Sequence, residues 1–77
     1  MTDQEAFDEL RDSIWYELAC RCRECGDELE LEDLERLRDR DAMAWSRIAA
    51  ERAIEDGWRP EPGVIGVVCP QCLRRRN

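Results

Sequence analysis

A chain of 77 residues has the length of a single domain, and at that size an apolar core alone contributes about 3–5 kcal/mol. A metal, a disulfide or a partner chain is therefore expected to staple it. The net charge of −7 argues against a general affinity for phosphate backbones, while 43% hydrophobic residues and three tryptophans argue against a disordered acidic tail.

No run of 18 apolar residues occurs, and the opening MTDQEAFDEL is acidic where a secretory signal is basic and then apolar. The expectation is a cytoplasmic protein with no membrane partner. In a reducing compartment, five cysteines point to metal binding before disulfides, since five thiols cannot all pair within one chain.

Residues 4–19 carry the first helical signal. At 100° per residue Phe7, Leu10, Ile14 and Leu18 fall within an arc of about 80°. Thr2 or Asp3 can cap the start, and the acidic first turn suits the positive end of the helix dipole.

The cysteines follow. CRCRECG, residues 20–26, holds three, and CPQC, residues 69–72, holds two. Two cysteines separated by two residues chelate one ion from a tight turn. Cys22 and Cys25 have that spacing, with Gly26 free to take φ > 0, and Cys69 and Cys72 have it with Pro70 fixing the turn. The assignment is Cys22, Cys25, Cys69 and Cys72 as ligands of one structural Zn²⁺. Cys20 is then a packed thiol, although a pairing of Cys20 with Cys22 offers a second arrangement. Iron takes four thiolates as well, so spacing leaves the metal open between zinc and iron.

Beyond the first pair, GDELEL alternates polar and apolar residues, as a short strand over residues 28–31 would. A helical period then runs from 33 to 56, with Leu34, Leu37, Ala42, Trp45, Ile48, Ala49 and Ala53 on one face. The charged RLRDRDA predicts a bend or restart, with Asp39 or Asp41 as a new N-cap. Met43, Ala50 and Ile54 form a second apolar strip on the opposite face, which is expected to pack against the N-terminal helix or another chain and, together with Trp15, is a candidate partner surface.

Gly57 is placed to end the long helix, with Trp58 folding back on its last turn. RPEPG reads as a loop, since proline continues neither helix nor ladder. VIGVV, residues 64–68, reads as a strand that delivers the second cysteine pair. The closing LRRRN reads as a short tail. The expected architecture is a single metal-stapled α+β domain over residues 1–77. It comprises an N-terminal helix at 4–19, a first knuckle and short strand at 20–31, one long central helix at 33–56, and a strand with a second knuckle at 64–72.

CRECG and CPQC resemble the paired knuckles of zinc-ribbon and rubredoxin-like domains. The segment WSRIAAERAIEDGW leading into VVCPQC is also similar to a pattern in small zinc proteins of actinobacteria and their phages. The resemblance covers residues 22–72 and implies a fold and a metal without an activity. The use of arginine at all twelve basic positions agrees with a GC-rich genome of that kind. Zinc ribbons place hairpins between their knuckles, however, whereas here 43 mostly helical-looking residues separate Cys25 from Cys69.

A catalytic zinc needs an open coordination position, and four cysteines with no histidine in the chain leave none, so no enzyme is expected. The leading expectation is a zinc-shaped protein-interaction or regulatory module, phage-encoded and directed at a host or phage protein, with homo-oligomers as a variant. The alternative is a zinc-ribbon nucleic-acid-binding or transcription-associated factor touching phosphates through Arg21, Arg23, Arg74, Arg75 and Arg76.

Overall fold

A computed structural model describes residues 3–61 and 65–76. Helix α1, Asp3–Glu17, buries Ala6, Leu10, Ser13 and Ile14, so the expected stripe is the face that enters the core. Phe7 packs half-buried against the same cluster. Leu18 does not join it. The helix stops at Glu17, and Leu18 takes the left-handed conformation at φ 56°, where it is exposed and its carbonyl accepts from Arg38 Nη1 at 3.3 Å. That turn redirects the chain into the cysteine segment.

The expected single central helix is three pieces: a 3₁₀ turn at Glu32–Leu34, α2 at Glu35–Arg40 and α3 at Ala42–Glu55. The restart falls at Asp41. Its backbone leaves the helical region, its amide still closes the end of α2 on the Leu37 carbonyl at 2.7 Å, and its carboxylate accepts from Ala44 N at 3.1 Å. One aspartate thus stops one helix and caps the next, the task for which a short acceptor side chain is favoured.

α3 is the centre of the molecule, in contact with α1 on one side and α2 on another. Ala49, Ala50 and Ala53 are fully buried, and small side chains there let the neighbouring backbones approach closely. The helix therefore needs apolar residues on both faces, and the second strip is largely internal. Ala50 is buried and Ile54 packs half-buried on the core, which removes both from the expected partner surface. Trp45 and Trp58 are also core residues.

α3 ends as its sequence predicts. Gly57 has φ 96°, its amide donates to Ile54 O at 3.1 Å, and Trp58 N donates to Ala53 O at 2.9 Å, the pair of bonds that closes a Schellman cap. The chain then enters an antiparallel pair, β1 Arg59–Pro60 and β2 Val67–Val68, in register Arg59 to Val68 and Pro60 to Val67. Pro60 was expected to exclude a ladder, but a proline needs only to keep its missing N–H away from the partner, and the next bond comes from Glu61 N to Gly66 O at 3.1 Å. The strand expected over 64–68 is accordingly two residues long, with residue 64 outside the described part. Ser13 of α1 accepts from Gly66 N at 3.1 Å in the interior and ties this hairpin to the first helix.

The last segment differs most from expectation. Of the expected tail, residues 73–75 belong to helix α4, Pro70–Arg75, with Pro70 at its start, Cys72 buried and Leu73 half-buried against the core, and residue 77 lies outside the described part. The expected strand at 28–31 is reduced to a single bridge, Glu28 with Arg21, and a separate bridge joins Cys22 to Val67. The result is a small α+β fold in which helices surround a two-stranded sheet and both cysteine pairs meet at the sheet end.

Candidate metal centre

The first pair lies on a narrow loop. Cys22 N donates to Asp27 O at 2.7 Å, Leu29 N to Cys20 O at 2.9 Å and Gly26 N to Cys22 O at 2.9 Å, folding residues 20–29 back on themselves. Gly26 at φ 82° makes the turn, as its place after Cys25 suggests. Arg23 N then donates to Val67 O at 2.9 Å and fixes this loop beside β2.

The second pair is not a knuckle of the same kind. Cys69 is the residue before α4, with extended backbone, and Cys72 sits in the first turn of that helix. Two residues of helix bring the second sulfur back over the first just as a knuckle would. The Cys-Pro step carried the signal, since proline is favoured at the first helical position, but a CxxC motif draws the eye to a knuckle.

Cys22, Cys25, Cys69 and Cys72 have their sulfurs all within 4.8 Å of one another. The two cross pairs are closest, with Cys22 Sγ 3.7 Å from Cys72 Sγ and Cys25 Sγ 3.6 Å from Cys69 Sγ. Four thiolates about 2.3 Å from a tetrahedral ion lie about 3.8 Å apart, so these separations fit a metal and are far too long for disulfide bonds. Three of the four cysteines are buried and Cys25 is exposed.

The electrostatics ask for a cation. Burial works against ionising Cys22, but the N–H groups of Cys25, Cys69 and Glu24 outweigh it and bring the thiol down to about 6. Cys72 is pushed up, first by burial and then by the sulfurs of Cys25, Cys69 and Cys22. Cys25 is pushed up too: the Asp27 amide lowers it, but desolvation and the Cys22 and Cys69 sulfurs prevail. One thiolate is welcome here and a second is resisted, until a metal ion removes the repulsion between them.

Cys20 lies outside the cluster. It is 1% exposed, and burial, followed by the charges of Glu28, Asp56 and Glu17, pushes its thiol up to about 12. It behaves as a small apolar residue.

The five arginines expected at this end divide. Arg21, Arg23, Arg74 and Arg75 are exposed, with Arg21 3.9 Å from Glu28. Arg76 is exposed as well but is paired within the chain, donating from Nη2 to Glu24 and to Glu61 Oε2 at 2.9 Å. Neither glutamate was singled out by sequence reasoning. Glu24 had a signal in its position between Cys22 and Cys25, whereas Glu61 reaches the site only through the fold.

Of the expected partner surface, Trp15 and Met43 remain outside, 50% and 71% exposed. They line one groove of about 720 Å³ with Arg11, Asp12, Asp41 and Arg47 at its edges. No helix among the described residues is long and apolar enough to cross a membrane.

The fold and the site define a small α+β protein with a four-cysteine cluster that could hold one metal ion. Comparison with protein families, with curated proteins and with solved structures finds no match to this chain.

Proposed function

We propose that the chain is a non-enzymatic protein whose fold is stapled by one Zn²⁺ on Cys22, Cys25, Cys69 and Cys72, and that it serves as a protein-interaction or regulatory module. The observation that carries the metal reading is the four-sulfur cluster with cross pairs at 3.6 and 3.7 Å. A site closed by four sulfurs leaves zinc no open position for a substrate or water, which supports a structural role. Zinc is favoured over iron because the second pair opens a helix and does not repeat the knuckle of a rubredoxin-like site. Native mass spectrometry of the purified chain tests this, with one zinc per chain expected and an iron mass or no metal overturning it.

The interaction reading draws on Trp15 and Met43, two large apolar side chains exposed on one groove. An acidic surface, with a net charge of −7, would steer the domain toward a basic protein partner. The finer form of the reading is a cytoplasmic, phage-encoded regulator of a host or phage protein, supported by the resemblance of the GW and CPQC segments. Its test is a partner that binds the wild-type chain and loses binding to the Trp15→Ala, Met43→Glu variant while zinc is retained. Retained binding would remove this surface from the reading.

One observation favours a second reading. Arg21, Arg23, Arg74 and Arg75 are exposed around the metal-bearing end and could grip a few phosphates. DNA or RNA binding that weakens steeply with salt and is lost on changing Arg74 and Arg75 to Ala would establish it.

A further inference from the structure

We propose that Arg76 is an ionic latch across the metal centre, holding its two half-sites together and slowing release of the ion. This rests on the reading of the four cysteines as a zinc site.

Arg76 follows Cys72 by four residues, one helical turn, at the end of α4. From there a single guanidinium nitrogen reaches two other segments, donating to Glu24 and to Glu61 Oε2 at 2.9 Å. Glu24 belongs to the two-residue spacer between Cys22 and Cys25, and Glu61 directly follows β1. The side chain therefore joins the second half-site to the first half-site and to the hairpin that carries β2.

The charges explain why a cation is needed at that point. Four thiolates around Zn²⁺ carry a formal charge of −2, and Glu24 and Glu61 add two more negative charges beside it. Without Arg76, the Glu24 and Glu61 carboxylates would add unbalanced negative charge beside the zinc tetrathiolate, a like-charge load that pushes the half-sites apart. Arg74 and Arg75 do not substitute, since both are exposed and make no ion pair among the described residues.

The mechanical argument points the same way. Releasing the ion requires one cysteine pair to part from the other. α4 is only six residues long, so its lifting is the least costly opening. That motion carries Cys72 away from Cys22 and breaks both Arg76 contacts as it starts. The pairs are partly exposed, with Arg76 at 41%, Glu24 at 38% and Glu61 at 25%, so they add little to folding stability. They act on the rate of opening.

The test follows zinc transfer from the loaded full-length chain to an excess of 4-(2-pyridylazo)resorcinol. Arg76→Gln is expected to release zinc roughly three- to tenfold faster than wild type, the scale of a small charge network. Arg76→Lys should fall between them, because it keeps the charge and loses the planar fork. Raising sodium chloride should speed the wild type and leave Arg76→Gln nearly unchanged, while helix content stays constant in both. Glu61→Gln removes one of the two contacts away from the cysteines and should give a smaller acceleration. This variant reads the latch even where Arg76→Gln folds poorly. Release at the wild-type rate in Arg76→Gln, or in Glu61→Gln where that is the variant that folds, overturns the latch while leaving the zinc site intact. A wild-type chain that takes up no zinc overturns the site and the latch together, and the two failures are distinguished by the first zinc measurement.

Discussion

Cys22 Sγ and Cys72 Sγ lie 3.7 Å apart although fifty residues separate them in the chain. That contact closes the molecule across α2, α3 and the hairpin, and it divides the five cysteines into four and one. Replacing Cys22, Cys25, Cys69 or Cys72 with Ser should abolish stoichiometric zinc in native mass spectra. Cys20→Ser should keep one zinc per chain. In the loaded wild type, iodoacetamide at neutral pH should leave Cys20 unmodified until the chain is unfolded. Its thiol is buried and pushed up to about 12, and only a thiolate attacks. A Cys20→Ser variant that loses its metal would reverse the division.

Removing the metal should unfold the domain. Structural zinc contributes about 10–16 kcal/mol of apparent binding energy in small metal-dependent domains, against about 3–5 kcal/mol for a core of this size. Chelation is therefore expected to lower the far-ultraviolet helix signal sharply. It should also shift tryptophan emission to the red as Trp45 and Trp58, 2% and 3% exposed, enter water. Returning zinc should restore both signals. Unchanged helix content after complete chelation would show that the core of Leu10, Ile14, Trp45 and Val68 stands without the ion.

The parts of the fold legible in the sequence are those set within a few residues. The α1 stripe, the restart at Asp41 and the stop at Gly57 each follow from a helical period or a single cap. The cysteine set was legible because its spacing is itself a local signal. What escaped depends on neighbours distant in the chain. Ala50 and Ile54 form a strip that the sequence leaves open between the N-terminal helix and another chain, and only the packing of α3 on its neighbours places it inside. Arg76 looked like one charge in a basic tail, and its role becomes visible only when Glu24, fifty-two residues earlier, is brought beside it. Pro60 follows the same logic, because a proline is excluded from a ladder only where its N–H is the group required.

The end of α3 gives a direct stability test. A Cβ on residue 57 would meet Pro70 Cβ at 3.2 Å, and the φ of 96° is costly for any L side chain. Gly57→Ala should destabilise the zinc-loaded protein by about 1 kcal/mol or more, read from the urea midpoint at constant slope. Asp41→Ala, which removes the bond to Ala44 N, should cost about 1 kcal/mol through loss of the cap. Asp39→Ala, inside α2 and at neither of its caps, should leave the midpoint close to wild type. Equal effects at positions 39 and 41 would argue against the restart as the source.

Asp33 and Arg52 supply the pH prediction. Arg52 donates from Nη1 to Asp33 Oδ1 at 2.8 Å and from Nη2 to Oδ2 at 2.7 Å, joining the 3₁₀ turn to α3 by a two-pronged pair. The guanidinium holds the Asp33 carboxyl below its ordinary value of 3.8. A carboxyl lowered on folding binds fewer protons in the native state than in the unfolded one, so stability falls as acid is added. The contribution of this pair is therefore complete above the ordinary aspartate value and is lost as pH drops through the lower native one. Asp33 is exposed, which keeps the effect on overall stability small. The carboxyl itself is the better reporter. Its carbon-13 resonance should titrate below that of a free aspartate in the wild type and return to the ordinary value in Arg52→Gln. A midpoint indifferent to Arg52 would show that the pair is not formed in solution.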